Sequence, residues 1–117
     1  KWSEINLMMR EKLISLLTLQ DMYLSDEYTR EVLALYGKRL SIHSSDTEHS
    51  TGRSSVAIVL NKDLVKTEGV VTTYLIPGRA LLVQIPWHGE TMCTWLAIYA
   101  LNNEEENRKM WEDLTTL

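Results

Sequence analysis

The stretch that decides the fold runs from residue 55 to residue 100, where "SVAIVL" (55–60), "GVVTTYLI" (69–76), "ALLVQIP" (80–86) and "TWLAIYA" (94–100) succeed one another. Each run is rich in β-branched and large apolar residues and is set off by a short turn, which predicts strands. Four such runs in succession predict a meander. At the "IPGR" junction (76–79), Pro77 supplies a fixed φ and Gly78 a positive one. A type II turn needs that order, so a hairpin is expected there.

Working outward, residues 1–13, "KWSEINLMMREKL", place Trp2, Ile5, Met9 and Leu13 at intervals of three and four, which aligns one face of a helix. "ISLLTLQ" (14–20) has almost no polar interruption and reads as a strand covered on both faces, in the middle of a sheet. "LSDEYTREVLALYGK" (24–38) offers Ser25 as N-cap, acidic Asp26 and Glu27 in the first turn, apolar Tyr28, Val32 and Leu35, and Gly37 as a stop, predicting a second helix. "RLSIHSS" (39–45) reads as a short strand and "DTEHSTGRS" (46–54) as a polar loop. At the end, Asn103 as N-cap, Glu106 three residues on, and Met110, Leu114 and Leu117 on one face predict a last helix. The order predicts an α/β or α+β class, with a mixed sheet carrying helices on one face.

The 117 residues fit one domain, 1–117, and 44% hydrophobic with 24% charged residues excludes a disordered chain. The lone Cys93 excludes an intrachain disulfide and a Cys-rich zinc site, which suits a reducing compartment. An intracellular location, cytoplasm or nucleus, is the expectation. No apolar run reaches the length of a membrane span. The chain opens on Lys1 rather than Met, in residues that already read as helix, so an upstream segment is expected.

A net charge of −4 argues against an extended basic surface, and Arg39, Arg53, Lys62, Lys66 and Arg79 read as scattered solubilising charges before they read as a phosphate patch. There is no Gly-rich phosphate loop, no paired His at metal spacing and no Gly-x-Ser-x-Gly elbow. His43, His49 and His88 read as surface or turn residues, Cys93 as a buried inert thiol, and the four tryptophans as core.

What remains is "LTLQDM" (17–22), "GRSSVAI" (52–58) and "IYALN" (98–102), in that order. The chain resembles the N-terminal half of the endonuclease/exonuclease/phosphatase superfamily, closest to the apurinic-endonuclease-like nuclease of non-LTR (LINE-type) retrotransposons. That family carries a strand ending like "LALQET", then "GRSGVAI", then "IYAPN". The resemblance implies that Asp21 stands where a Glu holds Mg²⁺, and that Tyr99 and Asn102 match residues near the scissile phosphate. Asp keeps a hard anionic oxygen but is one methylene shorter, and Mg²⁺ tolerates little departure from octahedral geometry, so Asp21 is expected to be a vestigial, weak ligand. Met22, Leu101 and Ser55 also depart from the motifs, at positions where the family has Thr, Pro and Gly.

By the same resemblance, the family's first, Asn-bearing strand would precede Lys1, and its Asp-x-Asn pair and final Asp and His belong to a second half. The expectation is therefore a catalytically silent, self-associating half-domain without a cofactor. The alternative is a residual Mg²⁺-dependent phosphodiesterase acting on nucleic acid, otherwise expected only as a weak partner. Because the complete family domain stacks two sheets and this chain reads as one, a homodimer is expected to cover the open sheet face, with Val56, Ile58, Leu82 or Trp95 among its interface residues.

Overall fold

In the computed structural model, residues 1–20, 24–49, 52–87, 91–99 and 104–116 are described, with the side chains of 46–49 and 52–54 outside that description. Helix α1 (Trp2–Glu11) buries Trp2, Ile5 and Met9. Leu13, expected on the same stripe, takes a left-handed backbone with φ 54 and is 70% exposed, because the helix has already closed at Lys12. Strand β1 (Leu16–Gln20) follows. Helix α2 (Asp26–Tyr36) is opened by Ser25, whose hydroxyl accepts the Tyr28 N–H at 3.1 Å. Its buried stripe is turned from the expected one: Val32 is buried and Tyr36 packs on the core, whereas Leu35 is exposed. Gly37 closes the helix in a right-handed conformation, and glycine is needed for space, since a Cβ there would run into the Leu33 carbonyl.

Strands β2 (Leu40–His49) and β3 (Gly52–Asn61) form one long hairpin, in register from Leu40 opposite Asn61 to His49 opposite Gly52. The polar segment expected as a loop is therefore mostly ladder. Once the hairpin is started, backbone hydrogen bonds extend it whatever the side chains. Strands β4 (Val71–Ile76), β5 (Ala80–Pro86) and β6 (Met92–Ile98) form the expected meander. Its first hairpin turns through Gly78 at φ 71, with the Arg79 N–H on the Ile76 carbonyl at 3.0 Å. Helix α3 (Glu104–Thr115) buries Met110. Asn103, read as its N-cap, and Leu117 lie outside the described residues.

The class is α+β, one of the two the sequence left open. Where one mixed sheet was expected, all described strand pairs are antiparallel and form two three-stranded sheets, ordered β1-β3-β2 and β4-β5-β6. The first of the four β-rich runs leaves the meander. Its exit is a turn in which the Asn61 carbonyl takes the N–H groups of Leu64 and Val65 at 3.1 and 2.9 Å, and residues 62–70 carry the chain to the other sheet. Strand β1 is an edge strand, not a central one; the buried centre of its sheet is β3.

The alternation of β3 explains the layers. Ala57 and Val59 face Trp2, Ile5, Met9 and Val32 of α1 and α2, so both helices cover one face of the first sheet. Val56, Ile58 and Leu60 face the other way and share a core with Leu81, Val83 and Ile85 of β5 and Ala97 of β6. The chain thus stacks a second sheet on its own first sheet. This corrects the reason given for a dimer: Val56 and Ile58, at 1% and 0% exposure, are spent inside the chain, and of the four candidates only Leu82 and Trp95 reach the surface. Among the described residues, no helix is long and apolar enough to cross a membrane.

Candidate functional site

Strands β1 and β6 lie on the same side of the sandwich, one from each sheet, and at their C-terminal ends the Gln20 Nε2 donates to the Ile98 carbonyl at 3.0 Å. Residues 78 positions apart are thereby tied at one rim. In antiparallel pairing, adjacent residues point their backbone groups alternately to opposite edges. The Tyr99 N–H bonds the Arg79 carbonyl at 2.7 Å, so Tyr99 turns its amide toward β5 and Ile98 turns its carbonyl outward. That outward carbonyl is the one Gln20 reaches.

Arg79 fixes the next step of the chain. It is 6% exposed, and its guanidinium spreads over three acceptors: the Tyr99 carbonyl from Nε at 3.4 Å, the Glu106 carbonyl from Nη1 at 3.3 Å and Asn107 Oδ1 from Nη2 at 2.8 Å. A rigid planar fork suits this three-way clamp between β6 and α3, which a lysine could not reproduce. Read from sequence as a surface charge, Arg79 is instead a buried tether. The other basic residues do not join it. Arg39 pairs with Asp63 at 3.4 Å and Lys62 caps the Gly37 carbonyl at 2.7 Å, both in the region where β3 ends, and the Arg53 side chain lies outside the described residues.

The structure places Tyr99 directly after β6, half-buried against the core between the sheets. Asp21, which follows Gln20, and Asn102 lie outside the described residues, as do Met22, His88 and Leu101. Among the described residues, no group of three or more His, Cys, Asp or Glu gathers as a metal would need. Near the rim, Gln20, Ile98 and Tyr99 offer an amide oxygen, a peptide carbonyl and a phenol, none of them a carboxylate, and the Ile98 carbonyl already accepts from Gln20 Nε2. Such a set does not fit Mg²⁺, which selects anionic oxygen and water.

His43 is not a surface residue. Its Nε2 lies 2.9 Å from Ser41 Oγ and its Nδ1 3.0 Å from Thr72 Oγ1, so it bridges β2 and β4 across the sandwich. Burial holds its pKa below 6.5. Ser45 adds a second bridge, accepting the Gly78 N–H at 2.8 Å. Because β2 and β4 flank the central strands on the side opposite β1 and β6, this polar seam lies away from the rim. Its alternate-residue spacing, Ser41, His43 and Ser45, is the signal that places all three on one strand face. Of the tryptophans expected in the core, Trp2 is there, while Trp87, Trp95 and Trp111 are about half exposed. Cys93 is half-buried rather than fully buried. Compared with known proteins, the sequence matches no family model and none of the curated proteins.

Proposed function

We propose that this chain is a retroelement-endonuclease-derived half-domain, catalytically silent by itself, that acts as a self-associating interaction module. The observation that carries the reading is the 3.0 Å bond from Gln20 Nε2 to the Ile98 carbonyl. It ties Gln20, within the "LTLQDM" segment that resembles a nuclease motif, to Ile98, the first residue of the "IYALN" segment. Such convergence is what an inherited phosphodiesterase frame requires, since catalysis by positioned groups needs them within reach of one phosphate.

Silence is the reading that the available side-chain chemistry favours. Asp21 offers one short carboxylate, the described neighbours do not fit Mg²⁺, and His43 is committed to the seam between the sheets. Self-association rests on the second sheet, where Met92, Trp95 and Leu96 of β6 are 43%, 45% and 47% exposed. A net charge of −4 and dispersed cations support only weak contact with nucleic acid.

The alternative, a residual Mg²⁺-dependent phosphodiesterase acting on nucleic acid, draws on the same convergence and on Tyr99 beside it. Nicking of supercoiled and abasic-site DNA in Mg²⁺ separates the two. The proposal expects no cleavage above that of an Asp21→Asn variant. Mg²⁺-dependent nicking that survives purification and disappears in Asp21→Asn would establish the enzyme and overturn the silent module.

A further inference from the structure

We infer that the outer edge of β6 is the self-association surface, and that its occupant is the β6 strand of a second copy, added antiparallel across a two-fold axis at Trp95. The inference deepens the self-association half of the proposed function and rests on it.

The backbone identifies the occupant as a strand. The Tyr99 N–H bonds the Arg79 carbonyl and the Trp87 N–H bonds the Thr91 carbonyl, so odd-numbered residues of β6 turn their amides and carbonyls toward β5. Met92, Thr94, Leu96 and Ile98 therefore direct theirs to the outer edge, where among the described residues only the Ile98 carbonyl meets a partner, Gln20. A row of unpaired N–H and C=O groups is a template for another strand.

The other edges are blunted in the ways edges usually are. Strand β4 carries a register shift between Tyr74 and Ile76. Strand β2 ends in the polar, charged sequence "SSDTEH" (44–49), a composition of the kind that blunts an edge. Strand β1 is five residues long and ends at the Gln20 tether. Strand β6, "MCTWLAI", has no charge, no proline and no register shift over seven residues.

Its sequence also suits its own copy. With the two-fold axis at Trp95, Thr94 lies opposite Leu96 of the partner, so their outward-facing backbone groups meet each other, and Met92 lies opposite Ile98, whose carbonyl already holds Gln20. The two Trp95 side chains then meet in a non-hydrogen-bonded position, where cross-strand side chains come closest and aromatic pairs are favourable. This pairing covers side chains that are otherwise about half exposed. It joins two three-stranded sheets into one continuous six-stranded sheet.

The test is molar mass by light scattering over a range of concentrations, for the wild type and for Thr94→Pro and Leu96→Lys, each checked for native circular dichroism. Proline at 94 removes only an outward N–H, and the lysine replaces a side chain already 47% exposed, so both variants retain the β5 pairing. The inference expects a wild-type dimer and at least tenfold weaker association in both variants. A second readout fixes the register. Trp95→Cys in a Cys93→Ser background should give a disulfide-linked dimer under mild oxidation, since facing Cα atoms about 4.5 Å apart lie within disulfide reach. A wild-type monomer at all concentrations would overturn both the edge and the self-association it rests on. A dimer untouched by both edge variants would overturn the edge and leave self-association standing. A dimer lost in the edge variants but never cross-linked at position 95 would overturn the Trp95 axis.

Discussion

Replacing Asn61 with alanine should cost this fold several kcal/mol, and the reason can be followed atom by atom. Asn61 ends β3, is 2% exposed, and donates its Nδ2 to the Met9 carbonyl at 3.3 Å and the Ile14 carbonyl at 3.1 Å. Its Oδ1 accepts the Asp63 N–H at 3.0 Å. The side chain thus pins the link between α1 and β1 to the end of the central strand. Alanine deletes all three bonds, but the losses differ. The Met9 carbonyl keeps the Ile14 N–H at 3.0 Å, so it is not orphaned. The Ile14 carbonyl loses its side-chain donor at a part-buried site, which costs about 1–3 kcal/mol, and the Asp63 amide loses an acceptor near the surface for about 1 kcal/mol more. The sum is about 2–4 kcal/mol, a large share of the ~5–15 kcal/mol that holds a domain of this size. Asn61→Asp sharpens the test. It keeps the acceptor for Asp63 but turns a carboxylate onto two carbonyl oxygens, so at neutral pH it should be less stable than Asn61→Ala. The folded state then raises the pKa of the new acid above its unfolded value, so stability is fullest below the unfolded pKa and is lost as pH rises through the folded one. Urea unfolding followed by circular dichroism at neutral and mildly acidic pH reads both effects. An Asn61→Ala loss below 1 kcal/mol, or an Asn61→Asp variant as stable as the alanine at neutral pH, would refute the reasoning.

The histidine seam makes stability pH-dependent in a stated direction. The folded state holds His43 below its ordinary 6.5, so its contribution is whole above that value and is lost as pH falls through the folded pKa. His43→Asn should remove this component from the pH dependence of the urea midpoint between about pH 7 and 5, and an unchanged slope would count against a buried bridging role. Arg79→Ala should loosen α3 without unfolding the sheets. Limited proteolysis is expected to release the C-terminal helix at least several times faster, with Arg79→Lys only partly protective, and equal cleavage rates in all three proteins would contradict the clamp.

Local signals carried much of the fold. Ser25 and the Pro77–Gly78 turn act through their own backbone neighbourhood, so a short window of sequence contains their cause. Partition between sheets was not legible in the same way. "SVAIVL" looks like the first strand of a meander, and nothing inside it records that residues 62–70 change sheets before β4 begins at Val71. The same misreading put Val56 and Ile58 beside Leu82 and Trp95 among the dimer candidates, because an apolar residue shows that it needs cover but not which chain supplies it. At the rim, two of the three motif segments drew attention to the ends of β1 and β6, and the Gln20 bond brings those ends together. Arg79, Asn61 and His43 were missed or misread because isolated polar residues announce themselves only through distant partners: α3 for Arg79, the end of α1 for Asn61 and β4 for His43.

The rim and the free edge both exist only if the two sheets close on each other within one chain. Isotope-filtered nuclear Overhauser spectra of a mixture of labelled and unlabelled protein measure that most directly, through the methyl groups of Val56, Ile58 and Leu60 on β3 and of Leu81, Val83 and Ile85 on β5. Cross-peaks between the two sets confined to single labelled chains are the predicted result. The same cross-peaks arising only between labelled and unlabelled chains would show that a second molecule covers β3, and would contradict the account.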